Sequence, residues 1–169
     1  MSKIKMIFLI LGVFALITSS VWSTPRKVTN ADLLTAADIV KVTGLAGAKL
    51  TPKNPSIGAG GDLNFATADN KLIVMVQVVN KRDYEGFKKY DVKVTAIKGL
   101  GDQAMQGATS TYTPPNQVVF TKGNTCVALM VFGDSKNIGK NMLTIEQTIE
   151  LAKIIVSRMS ANTSWDWGN

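Results

Sequence analysis

The chain has 169 residues, a formal net charge of +7, and 46% hydrophobic against 18% charged residues. That length suits one domain with a real core, and the composition excludes a globally disordered chain. There is no histidine, so the commonest general base and the commonest metal ligand are both missing, and the basic excess falls short of a nucleic-acid-binding signature.

The N-terminus carries the most specific signal. Ser2-Lys3-Ile4-Lys5 is a short positive region, Met6–Ile17 is uninterruptedly apolar, and Thr18–Ser23 ends with Val21 and Ser23 flanking Trp22. This is the layout of a secretory signal peptide over residues 1–23, and its apolar run is short for a membrane span. The alternative is an uncleaved anchor. No cysteine lies near the cleavage point, which excludes a lipoprotein anchor there. The expected mature chain starts near Thr24, is periplasmic or extracellular, and has no membrane span. A lone cysteine, Cys126, allows no internal disulfide, and without histidine to make a thiolate it reads as a small buried hydrophobe.

Residues 24–160 read as a single domain. Ala31–Val42 predicts a helix, or two turns of one restarted at Thr35, where Thr35 and Asp38 have capping-box spacing and Gly44 supplies the stop. Leu45–Pro55 reads as irregular. Gly58, Gly60 and Gly61 precede a strand instead of a helix, so they mark a turn more than a phosphate cradle. Leu63–Thr67 and Lys71–Val79 form an antiparallel hairpin, the second arm apolar on both faces except at Gln77.

Asp83 is placed to cap a short helix, Tyr84–Tyr90, whose Tyr84, Phe87 and Tyr90 would face the sheet. Lys81, Arg82, Lys88, Lys89, Lys93 and Lys98 make this the most basic region of the chain, interleaved with aromatics. Gly99-Leu100-Gly101-Asp102-Gln103-Ala104 matches the dinucleotide fingerprint G-x-G-x-x-[GA] in letters only. Glycines and prolines forbid the helix that must follow, and Thr121 and Lys122 stand where the ribose acid belongs. The expected role is a sharp turn in which Asp102 bonds the turn's own amides. Met105–Thr113 then predicts another strand.

Gln117–Thr121 and Thr125–Phe132, joined through Gly123-Asn124, form the clearest hairpin, and its second arm is apolar on both faces. Thr144 with Gln147 opens a last helix whose stripe runs Ile145, Ile149, Ala152, Val156, Met159, widened by Leu151, Ile154 and Ile155. Residues 161–169 form a polar tail carrying Trp165 and Trp167, an aromatic pair suited to a partner groove or a membrane interface. Asn162-Thr163-Ser164 fits a glycosylation acceptor, relevant only to a eukaryotic secretory route.

The pattern is α+β: an antiparallel sheet of about five to six strands built from hairpins, packed by an N-terminal and a long C-terminal helix. The L-T-A-A-D-I and V-T-G segments (Leu34–Ile39, Val42–Gly44), the I-K-G-L-G-D-Q-A turn (Ile97–Ala104), the V-V-F-x-K-G-N hairpin and the helix Leu151–Met159 together resemble small exported bacterial proteins and lipoproteins of unknown function. Those share a G-[IL]-G-D-x-A turn and an L-A-x-x-I helix. The resemblance implies an antiparallel sheet packed by helices, similar to the PsbP-like class, and brings no catalytic residues with it.

The twelve carboxylates form no recognisable pair, and no Ser, Cys or Lys sits in a nucleophile motif. No enzyme, cofactor or metal site is expected. The reading is a non-catalytic binding or interaction module of the bacterial cell envelope. Its partner is an anionic envelope component, met through Lys81, Arg82, Lys88, Lys89, Lys98 and the turn Gly99, Gly101, Asp102. The alternatives are an accessory subunit docking onto another envelope protein, with Trp165 and Trp167 as anchors, and a small carboxylate-dependent hydrolase.

Overall fold

A computed structural model of the chain describes residues 32–51, 63–69, 72–111, 115–133 and 143–159. In order these form α1 (Ala36–Thr43), β1 (Lys49–Thr51), β2 (Leu63–Ala66), β3 (Leu72–Asn80), a 3-10 turn (Lys81–Asp83), α2 (Tyr84–Tyr90), β4 (Val92–Ala96), β5 (Gln103–Ala108), β6 (Gln117–Lys122), β7 (Thr125–Gly133) and α3 (Ile145–Arg158). The fold is α+β. Its strands pair antiparallel in one sheet of order β1-β2-β3-β7-β6-β5-β4.

The two strands that are apolar on both sides, β3 and β7, pair along their whole length from Leu72↔Gly133 to Asn80↔Thr125. Strands apolar on both faces suit the middle of a sheet, where layers can pack on either side. Among the described residues the sheet has seven strands, against the expected five to six. The extra one, β1, is a three-residue edge strand inside the stretch expected to be irregular, and three residues carry no alternation to read.

One face is sealed. Leu72, Val74, Val76 and Val78 from β3, Val118 and Phe120 from β6, and Val127, Leu129 and Val131 from β7 pack with Leu33, Leu34 and Ile39 near α1 and with Leu151, Ala152 and Ile155 of α3. Large-to-small changes in such a layer cost about 2–5 kcal/mol each. The buried stripe of α3 is Thr148, Leu151, Ala152 and Ile155. The expected leading positions Ile145, Ile149 and Val156 flank it, because the helix rolls to seat the 148–155 row on the sheet. The two helices run antiparallel: Gln147 Nε2 donates to the Val42 carbonyl at 3.4 Å, and Arg158 reaches Asp38 at the other end. Both carry complete capping boxes, Thr35/Asp38 and Thr144/Gln147, and α1 stops at Gly44 with φ +70°. Helix α1 itself begins at Ala36.

Strand β5 ends at Ala108, short of the expected Thr113. The next amide, Thr109 N–H, donates to the side chain of Asn116, which is buried and also donates to the Val131 carbonyl. That side chain replaces the ladder and terminates the pairing. Among the described residues no helix is long and apolar enough to cross a membrane. The leader over residues 1–23, the glycine run at 58–61, the glycosylation acceptor and the tail with Trp165 and Trp167 lie outside the described residues.

Candidate functional site

The second face of the sheet is covered differently. Its buried cluster, Met105, Val119, Cys126 and Ala128, is roofed by Tyr84, with Phe87, Val79 and Met130 partly buried beside it. Among the described residues the roof is one helix of 7 residues. A helix so short spans only part of a seven-stranded sheet, so grooves open on both of its flanks.

The entry to that helix corrects one expectation. Asp83 makes no side-chain cap to α2. It instead closes a capping box on the preceding 3-10 turn: Asn80 N–H donates to Asp83 Oδ2 at 3.1 Å, and Arg82 N–H donates to Asn80 Oδ1 at 3.1 Å. The turn swings the chain from the end of β3 onto the open face, aided by Lys81 N–H donating to the Asn124 carbonyl. Tyr90 does not pack on the sheet. It is 76% exposed, with the Lys89 ammonium 5.3 Å from its ring centroid.

The larger groove, about 540 Å³, lies between α2 and the strands β3 and β6. Val79, Gly86, Phe87 and Tyr90 give it apolar walls; Gln77, Gln117, Arg82, Asp83 and Asp91 supply polar groups. Gln117 is 1% exposed and donates through Nε2 to Asp91 Oδ2 at 3.0 Å. Asp91 fits there because Gly107, the register partner of Gln117, has no side chain: a Cβ on Gly107 would lie 3.0 Å from Asp91 Oδ2. Burial pushes the Asp91 carboxyl up to about 6, the Gln117 bond notwithstanding, because desolvation disfavours the charged form.

The smaller groove, about 440 Å³, lies on the other flank, where Tyr84, Glu85 and Lys88 face Val94, Ala96, Ile97, Gln103 and Met105. Its outer wall is the edge strand β4, which carries a bulge between Val92 and Thr95 and a positive φ of 55° at Lys93. Bulges and lysines blunt an edge against further strand pairing.

The basic residues expected to form the site are gathered around this helix, but they do not form one continuous cationic patch. Lys81 and Arg82 lie on the 3-10 turn, and Lys88 and Lys89 lie on the last turn of α2. Arg82 approaches Asp83 at 4.0 Å and Lys88 approaches Glu85 at 3.7 Å, both exposed. Lys98 is exposed on the turn after β4.

Gly99, Gly101 and Asp102 have a structural job. Gly99 and Gly101 take φ +76° and +61°, and a Cβ on Gly101 would collide with the Thr121 carbonyl oxygen. Leu100 between them is buried in the main core. Asp102 does not bond its own turn's amides. Its Oδ2 accepts from Gly123 N–H at 2.8 Å, while its own N–H donates to the Thr121 carbonyl at 2.7 Å. The G-L-G-D segment therefore ties one hairpin turn to the next.

Cys126 is wholly buried, and desolvation together with the nearby charge of Asp83 pushes its thiol up to about 12. That leaves it without thiolate character. No group of three or more metal-ligating side chains occurs among the described residues. Asp83 and Asp91 do line one groove, but Asp83 is engaged with the Asn80 amide. Sequence reading missed the Asp91–Gln117 pair. The available signal was a polar residue, Gln117, opening a strand whose next three residues, Val118, Val119 and Phe120, are apolar, matched by Gln77 within β3. Compared with family models, curated proteins and solved structures, the chain finds no match.

Proposed function

We propose that this protein is an exported, non-catalytic binding module of the bacterial cell envelope that works through the face carrying α2. The observation that carries the reading is the inequality of the two faces. Among the described residues one is sealed by α1 and α3, and the other has a single short helix with an open groove on each side. Lysines and an exposed aromatic crown that helix. Tyr90 is 76% and Val94 38% exposed, with Lys88, Lys89 and Lys93 beside them in sequence. Cations flanking an amphipathic ring suit an anionic envelope surface. The resemblance to small exported bacterial proteins agrees with this placement.

Co-sedimentation with phosphatidylglycerol vesicles and with neutral phosphatidylcholine vesicles tests the reading. Binding to the anionic vesicles that weakens steeply between low and high salt, and falls severalfold in Lys88→Glu/Lys89→Glu, supports it. Equal binding to both vesicle types, or none, removes the anionic partner.

A second reading, docking onto another envelope protein, has its own observation. Ile73, Met75, Met130 and Phe132 form cross-strand pairs on the same face, and each is only partly buried. Docking there would be insensitive to salt and to the lysine substitutions. We propose binding without chemistry in either case. The carboxylate-dependent hydrolase reading would need Asp83 released from its backbone partner.

A further inference from the structure

The groove between α2 and the strands β3 and β6 differs in chemistry from the lysine-rich surface outside it. The protein as a whole is basic, yet the groove has two carboxylates, Asp83 and Asp91, and one guanidinium, Arg82, whose side chain is 85% exposed. Asp91 is the inner acid. Among the described residues its one hydrogen-bond partner in the groove is the neutral amide of Gln117, and no cation stands among the influences on its ionisation. A half-buried carboxylate without a cation is costly, and an incoming cation removes that cost.

Two further features point to an occupant. The walls include two aromatic rings, Phe87 and Tyr90, whose faces attract cations. Gly86, in the middle of α2, also lines the groove. Its φ is not positive, and a Cβ there would meet nothing within 4 Å. Neither backbone geometry nor packing requires glycine, which costs a helix interior about 1 kcal/mol relative to alanine. What the absent side chain does is keep the groove wall open.

We propose that this groove is a binding site for a small organic cation, an ammonium carried on an apolar body, with Asp91 as its counter-ion and Phe87 and Tyr90 as its walls. The volume of about 540 Å³ falls in the range of small-molecule sites. Gln117 orients the carboxylate through Oδ2, and the cation approaches from the open side. The site does not rest on the vesicle reading, since its ligand has the opposite charge.

The charged and titratable groups facing the groove are Arg82, Asp83, Tyr90 and Asp91 from the helix side; the strands contribute the neutral Gln77 and Gln117. Because Asp91 titrates near 6, cation binding strengthens as pH rises through that value. At pH 5 roughly a tenth of the carboxyl is ionised, so affinity falls about tenfold from pH 7.5.

Phenethylamine, protonated throughout this range, and its neutral counterpart 2-phenylethanol are titrated into the full chain and followed by amide chemical shifts. The expected result is saturable shifts on α2, β3 and β6, with the ammonium binding at least tenfold more tightly than the alcohol at pH 7.5. Asp91→Asn then loses that tenfold preference. Gly86→Leu, a good helix former that fills the groove, loses binding of both probes while the remaining amide spectrum stays unchanged. Absence of saturable shifts, equal affinity for the two probes, or undiminished ammonium binding in Asp91→Asn or Gly86→Leu overturns the proposal. Lys88→Glu/Lys89→Glu leaves the ammonium titration intact even where it abolishes vesicle binding, so the two ideas fail separately.

Discussion

Arg158, in the last turn of α3, holds Asp38, in the first turn of α1, through two hydrogen bonds of 2.6 and 2.8 Å. The same carboxylate accepts from the Thr35 amide at 2.8 Å and from the Thr35 hydroxyl at 2.6 Å. One side chain thus closes the N-terminus of a helix and locks that helix to its antiparallel neighbour. Arg158 also donates to the Leu33 carbonyl, so the segment entering α1 is fixed by the same contact.

Burial of Asp38 acts to raise its pKa, but the bonds from Arg158 and Thr35 outweigh it and hold the carboxyl at about 2. A depressed acid stabilises the fold above its unfolded pKa and loses that contribution as pH falls toward the folded value. Stability is therefore expected to drop between about pH 4 and pH 2. Arg158→Ala should cost about 2 kcal/mol at pH 7 and flatten this acid limb. Urea melts at a series of pH values check both.

Gly99 and Gly101 look alike in sequence and should respond differently to alanine. Both have positive φ, which costs a non-glycine residue about 1–2 kcal/mol. Gly99 has open space, whereas a Cβ on Gly101 strikes the Thr121 carbonyl. That carbonyl accepts from Asp102 N–H, so relief of the clash breaks the hydrogen bond that closes the turn onto β6. Gly101→Ala should cost about 1–3 kcal/mol more than Gly99→Ala, read as the difference between their denaturation midpoints.

Local chemistry made much of this fold legible. Capping boxes at Thr35 and Thr144, the Gly123-Asn124 hairpin turn and the doubly apolar strands are each written within a few consecutive residues. The pairing of β3 with β7 was not legible, since both strands advertise centrality without naming a partner. Asp102 was misread because its acceptor role is fulfilled across to Gly123, 21 residues on. The groove was invisible for the same reason. Asp91 and Gln117 stand 26 residues apart, single polar letters in unrelated segments that only the sheet register brings together.

With no histidine in the chain, a titration near pH 6 has few possible sources. Side-chain NMR should show Asp91 with a midpoint of about 6. The sign is opposite to that of Asp38: a raised acid destabilises the fold once ionised, so this contribution worsens as pH rises from about 4 through 6. Asp91→Asn should therefore be tolerated, and it should be relatively most favourable above pH 6. A loss of stability at pH 7 larger than at pH 4 would contradict this.

Thr121 is wholly buried, and its Oγ1 has no hydrogen-bond partner. An orphaned hydroxyl carries a desolvation penalty of about 1–3 kcal/mol. Thr121→Val keeps the shape and the β-branched preference for a strand. It should raise the melting temperature by several degrees, whereas Val119→Thr, placing a new hydroxyl on the same face of the same strand, should lower it.

The face carrying α2 is the proposed binding face. Hydrogen exchange, comparing the protein alone with the protein bound to membranes from its own cell envelope, tests this most directly. The expected footprint is added protection in Lys81–Tyr90 and the turn between β4 and β5, with α1 and α3 unchanged. Protection confined to α1 and α3 would place the contact on the sealed face and rule out binding through α2.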